Sequence, residues 1–304
     1  MQTKNCYYCK KPSGLFLKSS KSEYSNKFNF ASTEIDAQKS ETKPNLFICN
    51  SCDIIFSEYC DKSFQDHYKD VLDTQYIDQI DYKKEYFKFI ITKLSDQIKS
   101  NDEVLEIGSY YGAFGSQISS KVKNYTGLEL SKSGADFAKK NFDLNVANTD
   151  IYSFFQTNTK KYDIIFMFDV IEHLDDPDKV LNFCSKNIKT GGKLILSTMN
   201  MDSIFAKITG KNYPWIIPMH KFYFNDRSLR KFLKKNNLKM YKKINDVRII
   251  SLEYLFYKIS QKVIFFKIFY KVLTKINFLK NLKIKFSLFD LCIYCSSFND
   301  KIND

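Results

Sequence analysis

An α/β fold around a mostly parallel sheet is what this chain predicts, and a few observations carry the prediction. Short apolar runs alternate with amphipathic stretches between residues 104 and 245. Acids stand at or next to the ends of those runs, at Glu106, Glu129 and Asp169. A turn carrying Gly108, Gly112 and Gly115 follows the first run. Strands that alternate with helices imply right-handed crossovers, which make neighbouring strands parallel. Ligands then gather at the carboxyl ends of the strands.

Residues 104–107 (Val-Leu-Glu-Ile) read as a short buried strand. The glycines after it let backbone N–H groups approach a ligand without a Cβ in the way, and a helix is predicted from Ser116. Residues 123–129 form a second strand ending in Glu129, about twenty residues past the turn, where an acid can accept both hydroxyls of a ribose. Ser131 caps a predicted helix over 133–141. Residues 144–147 make a third strand whose loop closes on Asp150. Residues 163–169 make a fourth, and a helix over 178–188 follows. Gly191-Gly192 marks that helix's end, before a fifth strand over 193–198. A helix at 228–236, a sixth strand at 239–245 and a strand at 288–294 complete the sheet.

Cys6-Tyr-Tyr-Cys9 and Cys49-Asn-Ser-Cys52 are two C-x-x-C units. Each can form a knuckle with two thiolates on one side of a turn, and two knuckles close a tetrahedral sulfur site that favours zinc. Four thiolates leave no open position, so such a zinc is structural. The polar stretch 18–44 between the knuckles reads as a mobile loop. Cys292 and Cys295 have the same spacing but fall in a strand, where residues three apart face opposite ways, so no shared metal is expected. Cys60 and Cys184 read as ordinary thiols. The chain divides into a zinc ribbon at 1–75, a core at 76–246 and a C-terminal segment at 247–304.

A net charge of +13 raises nucleic acid and anionic membranes as partners. Arginine is confined to Arg227, Arg230 and Arg248, whereas phosphate and base recognition favours the arginine fork. Nucleic acid is therefore not the expected partner, and the lysines read as a solvated surface. The N-terminus is polar and reaches a cysteine pair at once, unlike a signal peptide. Eight cysteines in such a chain point to the cytoplasm. Residues 252–279 read as an amphipathic helical stretch with Lys258, Lys262, Lys267, Lys271 and Lys275 along one stripe. Three destinations are open to it: the core itself, a second copy of the chain in a homodimer, or peripheral contact with the inner membrane face.

The segments Glu106-Ile-Gly-Ser-Tyr-Tyr-Gly112, Glu129, Asp150, Phe168-Asp-Val-Ile-Glu-His-Leu174 and Lys189-Thr-Gly-Gly-Lys-Leu-Ile-Leu196 resemble, in order and spacing, the class I S-adenosylmethionine-dependent methyltransferases. The competing dehydrogenases use G-x-G-x-x-G, which Gly108, Gly112 and Gly115 do not fit. The resemblance implies a Rossmann-like sheet with its last strand antiparallel, a small N-terminal zinc ribbon and a C-terminal helical insertion. It puts Glu106 and Gly108 near the methionine part of S-adenosylmethionine, Glu129 and Leu130 at the ribose, Asp150 and Ile151 at the adenine, and Phe168 alongside. Tyr110 stands where the usual turn has its middle glycine. Gly108 and Gly112 remain, and Tyr110 or Tyr111 is expected to pack on the cofactor.

Methyl transfer from a sulfonium is an in-line displacement, in which the protein aligns the nucleophile and, for a hydroxyl or carbon acid, removes a proton. Asp169, Glu172 and His173 are spaced i, i+3, i+4 and would share one face of a helical turn, able to hold a divalent cation or act as a base. They resemble the acid-x-x-Glu-His set that ubiquinone-type O-methyltransferases use for a divalent cation. Residues 215–224 place His220 in an aromatic wall suited to a ring or sugar. That stretch resembles the acceptor-side loop of methyltransferases of surface-polysaccharide synthesis, and of zinc-bearing sugar C-methyltransferases. His220 is the preferred base. The expected function is methyl transfer to a small-molecule or sugar acceptor, such as a nucleotide- or lipid-linked glycan intermediate. The alternatives are a ubiquinone-type O-methyltransferase and an RNA-binding zinc-ribbon protein or RNA methyltransferase.

Overall fold

The computed structural model describes residues 3–18, 43–59, 69, 72–252, 256, 270 and 282–298. Nearly all of the 18–44 loop and most of the 252–279 stretch lie outside the described residues. Antiparallel strands β1 (Thr3–Asn5), β2 (Pro12–Leu17), β3 (Leu46–Cys49) and β4 (Ile55–Ser57) make an N-terminal meander.

The core follows. Helices α1 (Thr74–Asp78) and α2 (Ile80–Lys93) precede β5 (Glu103–Ile107), α3 (Gly115–Ile118) and β6 (Asn124–Glu129). Next come α4 (Lys132–Phe142), β7 (Val146–Asn148), α5 (Ile151–Thr157), β8 (Tyr162–Phe168), α6 (Pro177–Asn187) and β9 (Ile188–Met199). The chain continues through α7 (Ile204–Thr209), β10 (Phe222–Tyr223), α8 (Asp226–Lys235), β11 (Leu238–Asn245), β12 (Arg248–Ser251), β13 (Lys283–Phe286) and β14 (Leu291–Phe298). The large sheet has the order β11-β14-β9-β8-β5-β6-β7. β5, β6, β7, β8 and β9 run parallel, and β14 is antiparallel to both of its neighbours. The expected mostly parallel sheet with an antiparallel last strand is therefore present.

Local chemistry sets the helix starts. The Ser131 side chain accepts from Gly134 N–H and caps α4, as expected. Asn225 and Ser228 form a reciprocal capping box on α8. Helices α1, α2, α5 and α7 are additions to the sequence reading. Gly191-Gly192 does not end a helix. It lies within β9, where Gly191 has φ +76° and the register against β8 shifts. The start of β14 falls at Leu291 rather than 288 because Phe289 is left-handed (φ +56°) and Asp290 is buried in an ion pair with Arg248.

Side chains alternate across β9 and β14, and the two faces feed different cores. Leu194, Leu196, Cys292 and Tyr294 pack with Phe56, Phe222 and the N-terminal cysteines. Ile195, Ile293 and Cys295 pack with Ile90 and Ile91 of α2. Cys292 and Cys295 thus face opposite ways, as the strand periodicity requires.

The segment after β9 supplies one strand of the N-terminal sheet. β10 pairs antiparallel with β4 (Phe222 opposite Phe56, Tyr223 opposite Ile55), so it is the outer strand of the N-terminal sheet. Ser57 N–H also donates to the Lys221 carbonyl at 2.9 Å. The Tyr8 ring lies 4.2 Å from that of Phe232 on α8. Phe222, Phe224 and Phe232 are fully buried, each contributing roughly 1.5–3 kcal/mol of burial. Among the described residues, no helix is long and apolar enough to cross a membrane.

Candidate functional site

The carboxyl ends of β5, β6 and β8 converge, and they bring three acids around one tyrosine. Glu106, Glu129 and Asp169 all act electrostatically on Tyr76 of α1, as does Asp73 before it. Glu106 is buried, with Oε2 accepting from the Tyr125 hydroxyl. Burial pushes its carboxyl up to about 8, against the lowering effect of that hydroxyl and with a further push from Glu129. Glu129 Oε2 accepts from Tyr110 N–H at 2.6 Å and Oε1 from Ser131 N–H at 2.7 Å. Burial raises Glu129 to about 7, opposed by those backbone donors.

The turn between these acids is as tight as its sequence requires. Gly108 has φ +76°, and a Cβ there would lie 2.5 Å from Val170 Cγ2. Gly112 has φ +79°, and a Cβ there would meet Ala138 and Leu144 at 2.8 Å. Tyr110, in the place of the middle glycine, keeps the left-handed backbone (φ +46°). Leu130 is half-buried, and its carbonyl accepts from Asn148. Asp150 caps α5, accepting from Tyr152 and Ser153 N–H at 2.9 Å. Ile151 is buried in the core behind it, and Phe168 packs on Phe87 and Phe114.

The expected cation set of Asp169, Glu172 and His173 does not form. Asp169 is left-handed (φ +53°), so the helical turn begins only at Ile171. Asp169 Oδ1 accepts from Ser197 Oγ at 2.6 Å, whereas Glu172 Oε2 accepts from Thr198 Oγ1 at 3.0 Å. Ser197 and Thr198 are consecutive on β9, and consecutive strand residues point to opposite faces. Asp169 is open to solvent, yet so closely surrounded that burial raises its carboxyl, against the Ser197 hydroxyl, Lys83 and Arg248.

Glu172 and His173 instead meet His220, from the segment before β10. Their ligating atoms lie within 4.8 Å of one another. The two imidazoles meet edge to face at 4.6 Å. His220 Nδ1 lies 2.8 Å from the Trp215 carbonyl, which fixes the proton on Nδ1 and leaves Nε2 as a lone pair. Burial lowers His173 to about 4 and, together with His173, drives His220 well below the usual imidazole range. Both rings are neutral at physiological pH. The convergence of His220 with His173 is a long-range event that spacing along the chain does not announce.

The four N-terminal cysteines also converge. Cys6 and Cys52 Sγ are 3.7 Å apart, and Cys9 and Cys49 Sγ 3.3 Å. The two knuckles repeat one geometry. Cys6 N–H donates to Lys11 O and Lys10 N–H to Cys6 O; Cys49 N–H donates to Ile54 O and Asp53 N–H to Cys49 O. Lys10 and Asp53 are both left-handed, at φ 61° and 60°. This is a four-sulfur donor set of the type that binds zinc.

A model of the methyltransferase domain matches residues 76–243. The chain belongs to the methyltransferase domain family. Its acid-ended parallel strands and glycine turn lie within the matched residues. The mitochondrial ubiquinone biosynthesis O-methyltransferase of Dictyostelium discoideum is 29% identical over 122 residues, 39% of this chain and 36% of that protein. The chain therefore spans little more than a third of that relative. The ubiquinone biosynthesis O-methyltransferase of Coxiella burnetii is 24% identical over 164 residues, 51% of this chain and 67% of that one. A solved methyltransferase from Thermotoga maritima superposes with a TM-score of 0.49 at 16% identity, covering 78% of this chain and 96% of that one.

Two groups of this methyltransferase escape the sequence reading. Asp73 and Tyr76 lie over the glycine turn, and the Asp-before-helix pattern at 73 is a legible cap signal. Asp246, buried after β11, accepts from the Tyr86 hydroxyl at 2.8 Å, and burial and Asp169 push it up to about 7.

Glu106 makes stability depend on pH. Its folded value is raised from 4.5 to about 8, so the folded state holds a proton that the unfolded state has released. The stabilisation is full below 4.5 and is lost as pH rises through 8. In the ligand-free protein, Glu106→Gln keeps an acceptor for Tyr125 and removes the ionisation. Denaturant titration above that pH is expected to find it about 2 kcal/mol more stable than wild type.

Proposed function

We propose that this methyltransferase acts on a hydroxyl of a small ring-shaped acceptor, a sugar or a comparable ring, such as a nucleotide- or lipid-linked glycan intermediate. One observation carries the reading: Glu172, His173 and His220 converge beside the strand ends, next to Trp215. The names of the Dictyostelium and Coxiella relatives, both O-methyltransferases, support an oxygen acceptor and keep a quinone-type ring as the second reading.

In this proposal Glu129 and Leu130 hold the ribose, Asp150 and Ile151 border the adenine, and Glu106, Gly108, Tyr110, Gly112 and Phe168 enclose the remainder of S-adenosylmethionine. The Glu129 carboxylate accepts backbone N–H groups of Tyr110, Ser131 and Leu130, and its two oxygens still have acceptor capacity for a ribose hydroxyl. The acceptor oxygen would bond to the methyl carbon in line as its bond to sulfur breaks and the neutral thioether leaves, and His220 Nε2 would take the hydroxyl proton. Trp215 carbonyl orients that ring, and Glu172 stabilises the imidazolium that forms. Zinc on Cys6, Cys9, Cys49 and Cys52 is structural, since the cysteines supply all four ligands.

A divalent cation on Glu172, His173 and His220 is a second reading of the same cluster, favoured by its neutral imidazoles and its carboxylate. Such a cation supplies Lewis-acid activation of the acceptor hydroxyl. The chain's own contribution is then to present His220 Nε2, with Nδ1 held by Trp215, and Glu172, with Oε2 held by Thr198.

Titration calorimetry with S-adenosylmethionine is expected to show binding by wild type and a loss of at least about tenfold in Glu129→Ala. Equal affinities would remove the ribose assignment. Metal analysis is expected to find about one zinc per chain, largely lost in Cys49→Ser. A second bound metal that disappears in His220→Asn would replace the proton-transfer reading with the cation.

A further inference from the structure

Tyr110 breaks the glycine pattern of the turn, and its side chain shows what the break accomplishes. The Tyr110 hydroxyl donates to Asp73 Oδ2 at 2.8 Å. The other oxygen, Asp73 Oδ1, accepts from Tyr76 N–H at 2.9 Å and caps α1. Asp73 N–H donates to the Tyr111 hydroxyl at 2.7 Å. Asp73 is fully buried, so these bonds are shielded from water. Tyr76 then lies edge-on to Tyr110 at 4.7 Å and stacks on Tyr111 at 5.6 Å. Its phenol sits among the acids of the donor site, Glu106, Glu129 and Asp169.

The same bonds lead back to Glu129 by two routes. Tyr110 joins Asp73 through its hydroxyl and Glu129 Oε2 through its own N–H. Tyr111 hydroxyl reaches Ser133 Oγ at 3.3 Å, Ser133 reaches Ser131 Oγ at 2.9 Å, and Ser131 N–H donates to Glu129 Oε1. The segment before α2 is therefore bound to the acid proposed to hold the ribose. A glycine at 110 would keep the turn and lose this connection.

We propose that Tyr110 is a positioning residue, a latch that holds Asp73–Asp78 across the methyl-donor site and slows release of the bound nucleoside. The proposal rests on the donor-site assignment above. The left-handed backbone at Tyr110 is the strain that the latch maintains. Tyr110→Phe removes only the hydroxyl, and Asp73→Asn leaves one acceptor oxygen to serve two donors.

Two measurements on the full chain test it, each with wild type, Tyr110→Phe, Asp73→Asn and the double variant. Amide exchange in the ligand-free protein is expected to quicken about tenfold over 74–78 in each single variant, with 103–107 and 124–129 unchanged. Dissociation of S-adenosylhomocysteine is expected to quicken about tenfold in each, with little further change in the double variant. Unchanged exchange and unchanged dissociation in both single variants would overturn the latch. Absence of S-adenosylhomocysteine binding by wild type would overturn the donor-site assignment instead, and the exchange arm would still decide whether Tyr110 secures the segment.

Discussion

The two-residue pairing of β10 with β4 is the contact on which the arrangement of this enzyme depends. It is small in itself, a two-residue antiparallel pairing with Phe222 opposite Phe56 and both in one core. Its position gives it influence. On one side, β4 follows the Cys49–Cys52 knuckle within a few residues. On the other, Lys221 N–H donates to the Glu172 carbonyl at 2.8 Å, and His220 precedes Lys221. The Lys221 ammonium is buried and paired with Asp175, which ties the same segment to the loop before α6. The four-sulfur module and the histidine pair are thus two ends of one short, stiff connection. The N-terminal sheet does more than sit beside the methyltransferase core; its outer strand borders the Glu172, His173 and His220 cluster.

Chemistry at the site is divided by the sheet. Ser197 and Thr198 serve Asp169 and Glu172 on opposite faces of β9. The acids that gather around Tyr76 belong to the face covered by α2, whose residues pack with Phe168 and Ile195. The imidazoles belong to the face shared with Phe222 and the cysteines. A methyl donor held among the acids and an acceptor held beside the imidazoles would meet over the strand ends, where the backbone of Asp169 turns left-handed. Strained residues at such places persist only because their surroundings over-determine them.

Much of this was legible in the chain. β5, β6 and β8 announce themselves because each is a short apolar run with an acid or a glycine at its end, and the knuckles because two C-x-x-C units can close one four-sulfur site. The opposite facing of Cys292 and Cys295 follows from a period of two. What spacing hides is any change of backbone region at one residue. Asp169, Glu172 and His173 have helical spacing, and a single left-handed residue separates the first from the rest. Gly191-Gly192 looks like a helix end and is a bulge, because Ile188 is already extended when α6 stops. His220 meets His173 through β10, and two residues make a strand too short for any periodicity to reveal.

The late position of β10 in the chain also orders events in time. β1 to β4 emerge first during synthesis, but their sheet lacks its outer strand until residues 222 and 223 have been made. Until then β4 presents an unpaired edge, and Ile55 and Phe56 are uncovered, the kind of surface that invites association with other chains. Contacts so distant in sequence close slowly, since a long loop must be ordered before they form. A chain interrupted before β10 would expose a sticky, half-built sheet, so the N-terminal module cannot complete its folding without the core that follows it.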